Sequence, residues 1–320
     1  MALRTRLTER LGIRHPVLLA PMGSTAGGAL AAAVSAAGGL GLIGGGYPDP
    51  DWLEREFARA GNHRIGCGFI TWALARTPAA LDLALRHSPA AIMLSFGDAA
   101  PFIPPIKQAG AAVICQVQSL EQARVVLQEG ADVIVAQGTE AGGHGGHRST
   151  LPLVPAVVDL VAAAGRDVPV VAAGGIADGR GLAAALMLGA DGVLMGSRFY
   201  AAAESLALPA AKARIVAGGG DDTLRTAVFD IARGRDWPPE YTGRALKNRF
   251  SETWHGREAE LTRAAGESTR YAAAAAAGDF DTAVVFIGEG IDLIHAIEPA
   301  RLIVERVVRE AEAALARRFD

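Results

Sequence analysis

The chain of 320 residues is long enough for one large α/β domain with a small insertion, and half of its residues are apolar. A net charge of −3, without a basic stripe of interleaved aromatic residues, argues against nucleic-acid binding. The charged N-terminus does not resemble a signal peptide, and no apolar run reaches the ~20 residues of a membrane span. Cys67 and Cys115 stand in apolar runs, which predicts buried thiols in a cytoplasmic protein.

Eight short apolar runs recur over the first 200 residues, and a helical pattern follows each of them. The runs are continuous rather than alternating, which is typical of parallel strands that are buried on both faces. Their spacing leaves room for a strand, a loop and a helix in each unit. The predicted strands are 17–20, 40–43, 65–69, 91–95, 112–116, 133–137, 168–173 and 193–195.

Eight such units predict a closed (β/α)₈ barrel over residues 1–200, with an open doubly wound sheet as the alternative. Residues 201–280 combine helical patterns with charges and turns, which predicts a small, mostly helical insertion over the barrel mouth. Residues 281–320 then return to the barrel and end in an amphipathic closing helix. The apolar residues predicted for that helix are Leu302, Ile303, Val307 and Leu315.

Barrels of this type carry their active sites in the loops after the strands. The loops after the seventh and eighth predicted strands hold Gly174, Gly175, Gly196 and Ser197. Glycines in these two positions let the backbone N–H groups approach a phosphate group closely. The alternative is that each Gly-containing loop is only a tight turn.

Residues 138–147, called the strand 6 loop, form the most specific feature of the sequence. Half of them are glycine, so the backbone can lie flat against a planar ligand. His144 is a candidate base or hydrogen-bond donor, because imidazole titrates near neutral pH. The alternatives are a solvated surface loop or a metal site, but His144 and His147 alone give too few ligands for a metal. Glu140 is predicted to tie down the loop by accepting backbone N–H groups.

Three sequence motifs occur in this order. The first is Ala20-Pro-Met22 together with residues 30–41, the second is residues 137–144, and the third is residues 172–180 together with residues 189–199. Jointly they resemble the nitronate monooxygenase family over residues 15–200. The resemblance implies a TIM barrel that binds FMN and takes a small-molecule substrate and O₂, and the small number of possible ligands predicts that it holds no metal. The implied reaction is oxidation of alkyl nitronates or nitroalkanes to a carbonyl compound and nitrite.

The resemblance also implies roles for individual residues, with His144 as the active-site histidine. The implied cofactor-binding residues are Pro21, Met22, Gly23, Gln137, Gly142 and Gly143 near the flavin ring, and Gly174, Gly175, Gly196 and Ser197 at the phosphate. Gly68 and Gln116 also belong to the implied site, but they depart from the pattern. Some relatives have an amide side chain at the first position and a lysine at the second, so Gln116 is expected to be a neutral hydrogen-bond donor.

The same motifs also resemble those of proteins with other functions. They are an FMN-dependent enoyl-acyl-carrier-protein reductase, an NAD(P)H:quinone reductase and a flavin-binding protein without turnover. Four aromatic residues are candidate walls of the substrate pocket: Trp72, Trp237, Tyr241 and Phe286. Whether the protein is a monomer or a homo-oligomer stays open.

Overall fold

The computed structural model of the protein describes residues 3–317. The strands are β1 (Val17–Leu19), β2 (Leu42–Gly46), β3 (Gly66–Ile70), β4 (Ala91–Ser95), β5 (Ala112–Val117), β6 (Val133–Gln137), β7 (Gly143–Gly145), β8 (Val170–Ala173), β9 (Gly192–Met195), β10 (Thr223–Thr226) and β11 (Thr242–Leu246). The helices are α1 (Arg6–Leu11), α2 (Gly28–Ala36), α3 (Pro50–Ala60), α4 (Thr71–Leu74), α5 (Ala79–Arg86), α6 (Ile103–Gln108), α7 (Leu120–Glu129), α8 (Thr150–Ala163), α9 (Gly179–Met187), α10 (Ser197–Tyr200), α11 (Pro209–Ala217), α12 (Val228–Ala232), α13 (Arg249–Trp254), α14 (Glu258–Arg263), α15 (Glu267–Ala277) and α16 (Ala300–Leu315). Short 3₁₀ helices lie at Gly220–Asp222 and Glu289–Leu293.

Eight parallel strands form the barrel in the order β1-β9-β8-β6-β5-β4-β3-β2. The two ends of this order meet where Leu18 of β1 bridges Leu40, two residues before β2. There the Leu19 amide donates to the Leu40 carbonyl at 3.0 Å, and the Leu40 amide donates to the Val17 carbonyl at 3.1 Å. The predicted barrel is therefore confirmed, and the open sheet is not formed.

The continuous apolar runs became strands because both of their faces are buried. In β1, Leu18 packs inside the barrel, whereas Val17 and Leu19 pack against the surrounding helices. In β5, Ile114 faces inward and Cys115 faces the helix layer. Alternate residues thus face two different cores, so apolar residues predominate on both faces of these strands.

The insertion is mostly helical, as predicted, with α11 to α15 and a core around Phe229, Phe250 and Tyr271. It also contributes β10 and β11, which the sequence did not predict. These strands form an antiparallel sheet with β7, and β7 lies within the strand 6 loop. His144 pairs with Gly243 in this sheet. The insertion therefore fixes the backbone of the strand 6 loop.

The closing helix α16 packs against α9 and α2. Its predicted apolar face is partly wrong. Ile303 and Val307 are buried, but Leu302 and Leu315 are 38% and 37% exposed. The buried face follows helical periodicity and is completed by Ala300, Val304, Val308 and Ala311.

Cys67 and Cys115 are free and buried, as predicted. Burial raises the pKa of each thiol to about 12. Within residues 3–317, no helix combines the length and the apolar character that crossing a bilayer requires.

Candidate active site at the carboxyl ends of the strands

The loop after β1 packs against Gly68, in the middle of β3. A Cβ atom on Gly68 would stand 2.3 Å from Cγ of Pro21, so this position has no room for a side chain. This contact explains why an amide side chain is absent at Gly68. A Cβ atom on Gly23 would stand 3.7 Å from Cα of Gly46, so this loop also packs against the end of β2.

The two predicted phosphate loops follow β8 and β9. Gly174 and Gly175 have φ angles of +108° and +72°, a left-handed conformation that favours glycine. A Cβ atom on Gly196 would stand 3.6 Å from Sδ of Met22, which places Gly196 next to the loop after β1. The Ser197 hydroxyl accepts a hydrogen bond from the Gly288 amide at 2.9 Å. These predicted site residues therefore lie together at one end of the barrel.

Residues 285–290 lie across the strand 6 loop and the loop after β8. A Cβ atom on Gly142 would stand 2.5 Å from the carbonyl carbon of Ile287. The Glu289 amide donates to the Glu140 carbonyl at 2.9 Å. A Cβ atom on Gly290 would stand 2.8 Å from the Gly175 carbonyl oxygen. The glycines thus let three backbone segments approach within contact distance of one another.

Glu140 anchors the strand 6 loop as predicted. Its two carboxylate oxygens accept from the Thr150 amide at 2.9 Å each, and one also accepts from the Thr150 hydroxyl at 2.8 Å. Thr150 is the first residue of α8. The carboxylate therefore joins the loop to the N-terminus of the following helix and is committed to this structural role.

Three glutamines meet beneath the strand 6 loop. Oε1 of Gln137 accepts from Nε2 of Gln116 at 3.1 Å and from Nε2 of Gln118 at 2.9 Å. Nε2 of Gln137 donates to the His144 carbonyl at 3.1 Å. Gln116 thus donates a hydrogen bond to Gln137, and its expected role as a neutral donor beside a flavin stays a prediction. Gln118 was missed by the sequence reasoning, although its i, i+2 spacing from Gln116 was a usable signal.

His144 is held between a carboxylate and an aromatic ring. Its Nε2 atom lies 2.7 Å from Oδ2 of Asp230, and the side chains are 9% and 5% exposed. The imidazole stacks on Trp237 with the ring centroids 3.5 Å apart and the planes 4° from parallel. Burial lowers the pKa of His144, and the hydrogen bond and charge of Asp230 oppose that effect. A neutral imidazole in a fixed orientation can serve as a base.

Aromatic side chains surround this histidine and close the barrel mouth. Trp237 contacts Trp72 and Phe96 edge-to-face, with centroids 5.4 Å and 5.1 Å apart. The Trp237 indole donates to the Tyr47 hydroxyl at 2.5 Å. The four predicted wall residues therefore lie in one cluster, since Tyr241 contacts Trp237 and Phe286 contacts His144.

Phe96 has a φ angle of +65°, which is uncommon for a residue with a side chain. Its ring lies 5.1 Å from the rings of both Trp237 and Tyr241. Packing against these two rings offsets the backbone strain, which is of the order of 1 kcal/mol. Phe96 and Tyr47 were not predicted for the site. The sequence signal was their position directly after β4 and β2.

Arg225 of β10 clamps the strand 6 loop from the insertion side. Its guanidinium donates to the Thr139 hydroxyl at 2.9 Å, to the Thr139 carbonyl at 3.0 Å and to the Thr242 carbonyl at 2.5 Å. Burial lowers the pKa of Arg225 to about 10. The side chain remains a cation at neutral pH and adds positive charge close to His144.

A cavity of about 550 Å³ lies elsewhere, between α9 and α16. Its lining includes Arg180, Arg198 and Arg306, but acidic side chains pair with all three. It lacks the glutamines and the aromatic rings of the barrel mouth. Its lining therefore differs from the set of side chains around His144 at the barrel mouth.

Comparison with known proteins gives the family. Residues 4–62 and 75–310 match the family model described as nitronate monooxygenase. Nitronate monooxygenase npaC of Metarhizium robertsii is 34% identical, over 93% of this chain and 91% of that protein. The solved structure of FabK from Thermotoga maritima is 32% identical, with a TM-score of 0.84 over 98% of this chain and 97% of that one.

Another relative carries a different name. The (3aS,4S,5R,7aS)-5-hydroxy-7a-methyl-1-oxo-octahydro-1H-indene-4-carboxyl-CoA dehydrogenase of Mycobacterium tuberculosis is 39% identical over 72% of this chain. The match spans 65% of that relative, slightly less than two thirds of its length. The family model covers most of the chain, and npaC matches along nearly all of it. The chain therefore belongs to the nitronate monooxygenase family.

Proposed function

We propose that this protein oxidises alkyl nitronates and nitroalkanes with O₂ to a carbonyl compound and nitrite. The observation that carries the proposal is the buried His144 at the barrel mouth, held 2.7 Å from Asp230, in a chain of this family. Its ring can take the α-proton of a neutral nitroalkane, or it can donate a hydrogen bond to a nitro oxygen when both of its nitrogens are protonated. The buried free thiols support a reducing compartment, and we place the protein in the cytoplasm.

The family is flavin-dependent, and we propose FMN as the flavin of this protein. The residues fit such a group. The Thr71 hydroxyl and the Trp72 indole N–H are buried after β3 without a hydrogen-bond partner among residues 3–317, which suits a polar heteroaromatic ligand. The loops with Gly174, Gly175 and Gly196 can bring backbone N–H groups to a phosphate.

Within this proposal, different residues of the site bind the phosphate and the ring of the flavin. Gly174, Gly175, Gly196 and Ser197 would hold the phosphate. The residues proposed to contact the flavin ring are Pro21, Met22, Gly23, Gly68, Gln116, Gln137, Gly142 and Gly143. FMN, when bound, supplies the redox chemistry. The chain supplies orientation, a base and a mouth shielded from water by aromatic rings.

The test is anaerobic mixing of the purified flavoprotein with propyl-2-nitronate and, separately, with NADH and NADPH. Rapid loss of the flavin absorbance with the nitronate is the expected result. Bleaching by NADH or NADPH but not by the nitronate would instead establish the second candidate, a nicotinamide-dependent reductase. The similarity to a protein named as a carboxyl-CoA dehydrogenase is the reason to test for a second kind of oxidation–reduction reaction.

His144→Gln tests the role of the ring. A general base contributes roughly 10²- to 10⁴-fold, so the rate with a neutral nitroalkane should fall by that factor. His147→Gln is the matched control, because His147 lies in the same loop and is exposed. Equal activity of the two variants would remove His144 from the chemistry.

A further inference from the structure

We propose that Asp230, a residue of the insertion, is the positioning residue that makes His144 a base. The inference rests on the proposed function and adds a residue to its site. Asp230 lies on α12, and His144 lies on β7, 86 positions earlier in the chain. Their 2.7 Å contact is almost completely shielded from solvent. A buried carboxylate this close to one ring nitrogen determines where the imidazole carries its proton.

An ionised carboxylate can only accept a hydrogen bond. Neutral His144 must therefore place its single N–H on Nε2 and donate it to Asp230. Nδ1 is left with a lone pair, and within residues 3–317 it has no hydrogen-bond partner. The stack on Trp237 prevents the ring from rotating freely. Asp230 thus fixes both the tautomer and the orientation of the base, as a triad carboxylate does.

The environment of the His144 ring favours its neutral form at rest, so that the ring becomes a cation only when it takes a proton from the substrate. Arg233, after α12, and Arg225, on β10, face His144 and disfavour its protonation, as burial does. Asp230 is the nearby group that favours protonation, and its hydrogen bond is the larger part of that effect. Nη1 of Arg233 lies 3.7 Å from Oδ1 of Asp230, too far for a hydrogen bond. Because Arg233 does not hydrogen-bond to it, the Asp230 carboxylate can stabilise the positive charge of a protonated His144.

The step that Asp230 supports is the transfer of a proton from the substrate carbon to His144. Nδ1 takes the α-proton of a neutral nitroalkane, and the electron pair of the C–H bond forms the C=N bond of the nitronate. The negative charge moves to the nitro oxygens, and the new imidazolium faces Asp230 and the Trp237 ring. A preformed nitronate has already lost this proton. Asp230 should therefore matter for nitroalkanes far more than for nitronates.

Kinetics with both substrate forms test this directly. In Asp230→Asn, kcat/KM for nitroethane should fall by about 10²-fold or more, whereas the value for preformed ethylnitronate should change by less than about threefold. Asp230→Glu should recover part of the loss. Asp236→Asn is the matched control, since it removes an equal charge from a 90% exposed carboxylate nearby. Equal losses with both substrates, or no loss, would overturn the inference.

Nitrogen NMR of the histidine ring provides a readout that needs no turnover. In the wild-type flavoprotein above pH 7, the His144 signal, assigned with His144→Gln, should show the N–H on Nε2. In Asp230→Asn the pKa of the ring should drop, because the group that favours protonation loses its charge. A wild-type ring with its proton on Nδ1, or an unchanged ring in the variant, contradicts the inference. If the wild type oxidises neither substrate, the proposed function fails, and the NMR result still decides the role of Asp230.

Discussion

Replacing Gly142 with alanine should separate the strand 6 loop from residues 285–290. The new Cβ atom would lie 2.5 Å from the carbonyl carbon of Ile287 and 2.6 Å from the Gly288 amide nitrogen. Carbon atoms in normal contact are about 3.5–4.0 Å apart, so one backbone must move by about 1 Å. That movement would weaken the hydrogen bonds from Glu289 to Glu140 and from Gly288 to Ser197.

The magnitude follows from these contacts. Overpacking costs about 1–3 kcal/mol, and each of the two weakened hydrogen bonds adds about 1 kcal/mol, so we expect the free energy of unfolding to fall by about 3–5 kcal/mol. Gly143→Ala is the matched control. A Cβ atom there meets nothing within 4 Å, and its φ of +72° costs an alanine only about 1–2 kcal/mol.

Hydrogen exchange and urea unfolding measure the two parts of this prediction. The peptide covering residues 285–290 should exchange faster in Gly142→Ala but not in Gly143→Ala. Urea unfolding should rank the wild type first, Gly143→Ala second and Gly142→Ala last. If Gly143→Ala is as destabilised as Gly142→Ala, or if exchange of the 285–290 peptide does not change, the contact does not hold these segments together.

Two further predictions concern buried polar groups. Arg225→Lys should lower the free energy of unfolding by about 2 kcal/mol and speed hydrogen exchange in the strand 6 loop, because an ammonium cannot reproduce the forked contacts to Thr139 and Thr242. The exposed Arg235→Lys is the control in urea unfolding, and equal effects would count against the clamp. Cys67 and Cys115, with thiol pKa values of about 12, should resist a disulfide reagent at pH 8, since only about 10⁻⁴ of each is thiolate. Both should react after denaturation, and rapid labelling of the native protein would refute their burial.

Local sequence patterns were sufficient to predict the barrel strands and part of the candidate site. A strand that is buried on both faces is apolar along most of its length, so the runs that contain Leu18 and Ile114 could be recognised without their neighbours. The carboxyl ends of parallel strands share one end of a barrel, so Gly174 and Gly196 were expected to lie near each other. Glu140 was predicted correctly because its partner, Thr150, is close in the chain.

What the sequence by itself determined is therefore what neighbouring residues decide: the strands, their order along the chain and the loops that form the barrel mouth. Only the tertiary structure decided that Asp230 lies within hydrogen-bond distance of His144. It also decided that β10 and β11 form a sheet with β7 of the strand 6 loop. It also showed that Pro21 leaves no space for a side chain at Gly68. The physical reason is separation along the chain. A buried carboxylate, a short strand or a glycine has many uses, and its role is set by a partner that folding brings from tens of residues away.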